Sequence, residues 1–295
     1  MFGGIGACTA ALKRLNIDFE VVDYVDIDKY ATASYNAING TSFETQDIRN
    51  WNKDIEADLI MHGSPCQDFS IAGKQAGGDE GTETRSSLMW ETVRIIEKVR
   101  PKYVIWENVK NVIGKKHKHN FDKYINELDK LGYNSNYQIL NAKDYGNIPQ
   151  NRERVYTISI RKDIDTGTFK FPEKEELKLR LKDMLEDDVD EKYYLSEKII
   201  AGFLKHNERH KEKGTGFIWK PKNENEIANT LRANASLCPT DNTIRCIQVA
   251  QMYGTEKEPN PQAGRIYDSE GISPTMDSCS GGNRMPKVMV NERKQ

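Results

Sequence analysis

Residues 58–78 read DLIMHGSPCQDFSIAGKQAGG, and the reading of this stretch decides the fold. Residues 58–61 are a short apolar run bounded by turn residues, as expected of a buried strand. Gly63, Ser64, Pro65 and Cys66 follow at its carboxyl end. In open α/β sheets that edge is where ligands bind. A free cysteine is more often a small core residue than a nucleophile. Cys66, however, stands in a polar turn after a proline, ahead of a glycine-rich segment able to serve as a lid. That setting suits a soft nucleophile presented rigidly.

Other strand candidates flank this one at residues 21–25, 103–106, 137–140 and 155–160, with amphipathic stretches between them. In FDKYINELDKL, Phe121, Tyr124, Ile125, Leu128 and Leu131 share one helical face. In SSLMWETVRIIEKVR the serines suit a cap, Leu88, Val93, Ile96 and Val99 lie near one stripe, and Pro101 stops the helix. Alternation of this kind predicts a mostly parallel, doubly wound sheet. The short, turn-rich link between the last two strands predicts an antiparallel pair at its edge.

The chain has 295 residues, enough for a full core and a second, smaller domain. It is 37% hydrophobic and 30% charged with a net charge of −2, which gives no global signature of a nucleic-acid binder. Residues 205–222, KHNERHKEKGTGFIWKPK, are locally basic and carry Phe217 and Trp219. Such a patch can follow phosphates, but alone it reads first as a solvated helix end and loop. Five scattered cysteines without a CxxC spacing point to reduced thiols and to no metal site. No apolar run reaches the ~20 residues of a membrane helix, and the start lacks the pattern of a secretory signal. After Arg161 the texture becomes charged and linker-like, with one helix expected. From about Glu226 it is rich in Asn, Thr, Gly and Pro, and two loosely similar segments suggest a small β-rich domain.

FGGIGA, Phe2 to Ala7, is a glycine-rich turn leading into a helix near Cys8. Glycine permits close backbone approach, and a helix start offers free N–H groups. Asp26, at the end of the second strand candidate, can hold ribose hydroxyls; the bland alternative is a tight turn and a surface aspartate. G-x-G-x-x-G is absent, which argues against a nicotinamide dinucleotide. Asp47 and Ile48 fall where a third strand should end. Glu107 and Asn108 follow the apolar run YVIW, where a carboxyl group held among Trp106 and Val109 could serve as a proton donor, or both residues could be a helix N-cap. Arg152 and Arg154, two apart at a strand start, should point to one face and suit an anion or a polar ring edge.

Taken together, FGGIGA, VDIDKYA, QDI, GSPCQDFSIAGKQ, TRSSLMWE, ENVKNV and DYGNIPQNRERVY resemble the DNA (cytosine-5) methyltransferases of phage and bacterial type, in that family's order across residues 2–161. The resemblance implies a Rossmann-like α/β S-adenosyl-L-methionine-dependent methyltransferase sheet in residues 1–165. It implies a smaller, β-rich target recognition domain in residues 166–295. It assigns Cys66, Glu107, Arg152 and Arg154 to catalysis, and Phe2, Ile5, Gly6, Asp26, Ile27, Asp47, Ile48, Pro65 and Leu88 to S-adenosyl-L-methionine. Gln67 and Ser70 become candidates for contact with double-stranded DNA, in a cytoplasmic setting of a bacterium or phage-infected cell, with restriction–modification as one context. In much of the family an aromatic stands where Ile27 is, so stacking on adenine should be weaker here.

The family has a full strand before the glycine-rich turn and helical motifs after the recognition region. Here only Met1 and Phe2 precede the glycines, and the chain ends at PKVMVNERKQ. The expectation is therefore a fragment, a truncated form or one subunit of a split enzyme, with a complementing chain supplying the missing motifs. A non-catalytic DNA- or cofactor-binding remnant and an RNA cytosine methyltransferase are the alternative functions.

Overall fold

The structure is a computed structural model. It describes residues 1–65, 85–186, 194–214, 216, 218–231 and 242–244, with the backbone alone of the short strands at 247–251, 265–268 and 287–288. Cys66, Gln67 and Ser70 lie outside the described residues, as does most of the internal echo after Glu226. The chain divides into two compact units: Met1–Asn141 with Glu153–Glu173, and Ala142–Arg152 with Lys174–Gln295. The boundary thus falls at Glu173, and the turn at 142–152 joins the second unit.

The first unit begins with α1 (Ala7–Arg14) and α2 (Lys29–Asn39). β1 (Leu59–His62), α3 (Met89–Val99), β2 (Tyr103–Val109), α4 (Lys118–Lys130), β3 (Tyr133–Asn141) and β5 (Glu153–Arg161) follow. The four strands form one sheet in the order β1-β2-β5-β3. β1 and β2 run parallel, and β5 runs antiparallel to both β2 and β3. Three of the four strands therefore share one direction, and the β3–β5 pair is the antiparallel pair expected. In the second unit α5 (Ala142–Tyr145), β4 (Gln150–Asn151), α6 (Glu197–Lys213) and β6 (Ala228–Asn229) precede β7 (Ile247–Gln251), β8 (Arg265–Asp268) and β9 (Lys287–Val288). β4 pairs with β6, and β7-β8-β9 form a three-stranded sheet.

Strand alternation places Ile60, Val104, Trp106 and Val155 on the buried side, against Met89, Ile95 and Ile96 of α3 and Phe121, Tyr124 and Leu128 of α4. The α4 face is the one its spacing predicts. The α3 stripe is rotated: Met89, Thr92, Ile95 and Ile96 are fully buried, while Leu88, Val93 and Val99 pack at its margin. The serines do not cap α3. A 3-10 turn over Arg85–Leu88 leads into it, and its N-cap, Leu88, offers no side-chain acceptor. Left-handed Arg100 and then Pro101 end the helix.

Two expected strands are absent from the sheet. Residues 21–25 are extended but join no ladder. A cleft of about 520 Å³ lies between residues 17–25 and β1, and a strand forms only where a neighbour supplies hydrogen-bond partners. The Asp23 carboxylate pins the segment instead, accepting from Trp51 Nε1 (2.7 Å), Lys53 Nζ (2.6 Å) and Gln46 Nε2 (3.0 Å), and these donors hold its pKa below the usual carboxylate range. The third, ending at Asp47 and Ile48, is replaced by coil and a 3-10 turn over Ile48–Asn50. The linker helix is likewise reduced to a 3-10 turn at Leu181–Asp183.

Trp106 is the hub of the core. Its ring lies 4.3 Å from Tyr124, 5.7 Å from Phe121 and 5.9 Å from His62, centroid to centroid. His62 Nε2 shares a 2.9 Å hydrogen bond with Tyr124 Oη, while Nδ1 has no partner. Burial drives the His62 pKa well below its ordinary 6.5. The unfolded chain therefore takes up a proton below that pH that the folded chain refuses, so the stability contributed by neutral His62 is complete above 6.5 and drains away as the pH falls. Urea unfolding between about pH 7.5 and 5.5 should show stability falling toward acid, and His62→Gln should flatten that slope by up to ~1.4 kcal/mol per pH unit.

Candidate active site

The functional side chains gather where β1 and β2 end. β1 gives way to Gly63, Ser64 and Pro65. Ser64 is buried and receives three contacts from β2: Trp106 Nε1 to its Oγ (3.0 Å), and Asn108 Nδ2 to its carbonyl (3.2 Å) and Oγ (3.4 Å). Asn108 Oδ1 in turn accepts from the Val109 N–H (2.8 Å). Trp106 and Asn108 reach Ser64 together because residues two apart on a strand share a face. The stretch entering Cys66 is thus anchored through buried groups, whose loss is more costly than that of exposed ones.

Glu107 lies on the opposite face of β2. The sequence reading placed it beyond the strand, but β2 continues to Val109, which removes the helix-cap alternative. A Cβ added at Gly63 would stand 3.6 Å from Glu107 Oε2, so the carboxyl group overhangs the exit of β1. Its other oxygen, Oε1, accepts Arg154 Nε at 2.9 Å. Arg154 pairs with Val109 across the ladder and so projects on the face of Glu107, and it also donates to the Glu153 carbonyl (2.8 Å). Arg152 does not share a strand with it. The chain breaks between β4 and β5, and Arg152 belongs to the second unit, where its carbonyl accepts the Ala142 N–H. The turn residues preceding the break interrupt the alternation that would have aligned the two arginines.

The glycine-rich turn sits before α1. Gly4 and Gly6 have φ of 51° and 98°, and a Cβ on Gly6 would come within 2.9 Å of the Tyr35 ring. The Asp26 carboxylate holds this turn through the Gly4 N–H (2.8 Å) and its own segment through the Asp28 N–H (2.9 Å), and Tyr24 Oη donates to the Gly4 carbonyl (2.7 Å). Ile27, next to Asp26 in the chain, is 65% exposed, and Ile5, next to the Gly4 that Asp26 holds, is 64% exposed. Apolar side chains with a carboxylate acceptor fit an adenosine, whose ring is apolar on its faces and whose ribose offers hydroxyl donors. Phe2, partly buried, packs against the core.

The third loop differs from expectation. Ile48 is buried in the core, so its side chain cannot line a ligand pocket, and its carbonyl accepts Arg94 Nη2 (3.0 Å). Asp47 is clasped by Arg49 at 2.5–3.0 Å, which lowers its pKa. Leu88 packs beside the core and Pro65 is half-buried. Sequence reasoning missed Ser64, Trp106, Tyr24 and Arg94. Ser64 and Trp106 sit inside quoted motifs, yet only the fold shows that one hydrogen-bonds the other. Among the described residues no group of three or more potential metal ligands is present, and no helix is long and apolar enough to cross a membrane.

Residues 1–287 match the family described as C-5 cytosine-specific DNA methylase. The chain belongs to that family. It is 28% identical to the orphan methyltransferase M.Rho11sI of Bacillus phage rho11s over 98% of its own length and 68% of the relative's. It is 31% identical to the orphan methyltransferase M.SPRI of Bacillus phage SPR, over 95% and 63%. With the type II methyltransferase M2.ScrFI of Lactococcus lactis subsp. cremoris it shares 49% identity over 49% of this chain and 39% of that one. The chain thus spans about two fifths to two thirds of these relatives. The crystal structure of S. pombe Dnmt2 methyltransferase superposes with a TM-score of 0.59 at 20% identity, covering 87% of this chain and 76% of that one, a likeness of fold. The methyl donor of the family is S-adenosyl-L-methionine.

Trp106→Phe removes the indole donor and should cost about 1–3 kcal/mol. In a double-mutant cycle with Ser64→Ala, urea unfolding should give a coupling of at least ~0.5 kcal/mol, the mark of a shared contact.

Proposed function

We propose that this protein transfers a methyl group to carbon 5 of a cytosine flipped out of double-stranded DNA, through a covalent adduct with Cys66. The observation that carries the reading is the convergence of the Ser64–Pro65 entry to Cys66, Glu107 and Arg154 at one sheet edge, in a chain of the cytosine-5 family.

Carbon 5 of cytosine is a poor nucleophile. Addition of the Cys66 thiolate to carbon 6 makes carbon 5 enamine-like. Glu107, carrying a proton, hydrogen-bonds ring nitrogen 3 and stabilises the charge that develops as the thiolate adds. Arg154, held against Glu107 at 2.9 Å, donates to the cytosine carbonyl in this reading, and Arg152 is assigned to steady the cysteine loop. Bound S-adenosyl-L-methionine supplies an electrophilic methyl group. Asp26 holds its ribose, Phe2, Ile5 and Gly6 border its methionine end, and Ile27 packs on its adenine. The backbone at Asp47 and Ile48, with Pro65 and Leu88, completes the site. Loss of the carbon-5 proton to solvent water then breaks the bond between carbon 6 and sulfur and expels Cys66 as its thiolate. The target base leaves the duplex because Cys66 cannot reach carbon 6 within the stack; Gln67 and Ser70 contact the DNA left behind. In this reading the first unit, expected from sequence as 1–165, carries catalysis, and the second, expected as 166–295, carries target recognition.

Bisulfite sequencing of unmethylated mixed-sequence DNA, incubated with the protein and S-adenosyl-L-methionine, tests this. Protection at one sequence context, lost by at least ~10³-fold in Cys66→Ala and reduced by about 10²–10³ in Glu107→Gln, is expected. Protection that survives in Cys66→Ala overturns the covalent route. Asp26→Ala should weaken cofactor binding about tenfold or more by calorimetry, as expected for a lost charge-assisted hydrogen bond.

A further inference from the structure

The basic segment at 205–222 is left without a role by the site above. Its first half is the end of α6, a 17-residue helix capped by Ser196 and closed by left-handed Gly214. One side of α6 is fixed. The Phe203 ring packs on Trp219 at 5.2 Å. Asn207 clamps the Trp219 backbone twice, from Nδ2 to its carbonyl (2.8 Å) and from its N–H to Oδ1 (2.7 Å). Trp219 is 3% exposed, and its indole donates to Thr243 Oγ1 (3.0 Å). At 100° per residue, Lys198, Lys205, Arg209 and Lys213 fall in one stripe about a quarter turn or more from that packed side. All four are exposed.

Among the described residues none of the four makes an ion pair or hydrogen bond, although Glu208 and Glu212 stand on the same helix. The first unit treats its cations differently: Lys53, Lys102, Lys110, Lys118, Lys130 and Lys162 each hold a carboxylate. Lys205, Arg209 and Lys213 recur every ~6 Å along the axis. That interval is close to twice the ~3.4 Å axial spacing of phosphates on one DNA strand. A periodic line of unpaired cations suits a polyanion rather than a single phosphate. Trp219 covers Phe203, but Ile199 and Leu204 of α6 stay exposed, so an anionic membrane surface is the competing occupant that the test must separate.

We infer that the Lys198–Lys205–Arg209–Lys213 stripe of α6 lies along the phosphate backbone of duplex DNA and supplies sequence-independent affinity. This rests on the DNA reading above and adds the surface that grips the duplex. The test is the salt dependence of binding of the full chain to a fluorescent duplex of mixed sequence. The variant is Lys205→Gln, Arg209→Gln and Lys213→Gln together, which keeps good helix formers throughout. A control of equal charge loss in the first unit is Lys13→Gln, Lys98→Gln and Lys130→Gln. The α6 variant should lower the slope of log affinity against log salt by about two to three and weaken low-salt binding at least tenfold. The control should change the slope by less than about one and low-salt affinity by less than about twofold, and circular dichroism should show α6 retained. A slope equal in parent and α6 variant, or lowered equally by the control, overturns this inference and leaves the DNA reading standing. A parent that binds no duplex overturns both, and so does binding confined to anionic vesicles.

Discussion

The hydrogen bonds that β2 sends into Ser64 govern the geometry of this protein. Trp106 and Asn108 are buried, both reach Ser64, and Ser64 is two residues from Cys66. A buried indole or amide without a partner is destabilising by more than the bond itself contributes. The entry to the cysteine turn therefore has essentially one position, fixed by the strand that also carries Glu107. The same pleat that turns Trp106 and Asn108 toward the core turns Glu107 away from it, over Gly63. One strand thus sets both the anchor and the Glu107 carboxyl group. Trp106 extends the coupling into the core, since its ring also packs on Tyr124, Phe121 and His62.

The glycine-rich turn is held by a different device. It has no ladder to support it, and Asp26 and Tyr24 supply a carboxylate and a phenol in place of strand pairing. The α-amino group of Met1 donates to the Met61 carbonyl (2.7 Å), and the Gly3 N–H to the Val25 carbonyl (3.3 Å). These two bonds bridge β1 and residues 21–25 across the end of the cleft between them. The turn and Asp26 are consequently positioned by side chains rather than by a sheet, and this makes them the softer half of the site.

The legibility of the chain follows the range of the forces involved. α4 was readable because Phe121, Tyr124 and Leu128 recur at helical spacing, and β1, β2 and β5 because short apolar runs end in turns. The glycine turn into α1 was readable because left-handed backbone favours glycine. Residues 21–25 were misread because alternation records which side chains are apolar and says nothing of whether a partner strand exists. The strand expected to end at Asp47 and Ile48 gives way to a 3-10 turn, because Arg49, two residues on, claims the Asp47 carboxylate and Arg94, from α3, claims the Ile48 carbonyl. Arg152 and Arg154 show the cost of assuming one strand through a turn. The Trp106–Ser64 bond spans 42 residues and has no sequence signature at all.

The Glu107–Arg154 pair bears on how the proposed chemistry begins. Arg154 Nε holds Glu107 Oε1 at 2.9 Å, whereas the proposed chemistry asks Arg154 to reach the cytosine carbonyl and Glu107 to face the ring nitrogen. Arg154 can satisfy both conditions only by changing partner. An incoming cytosine offers its carbonyl as a second acceptor and its ring nitrogen as a proton-sharing partner for Glu107. Engagement of Arg154 by that carbonyl frees Oε1 of Glu107 to face the ring nitrogen. An Arg suits this exchange better than a Lys, because its planar fork can serve two acceptors in fixed directions. The cross-strand register of Val109 with Arg154 keeps the exchange within one face of the sheet. On this argument the ion pair occupies both side chains until a base arrives, and in the proposed reaction the base itself releases it.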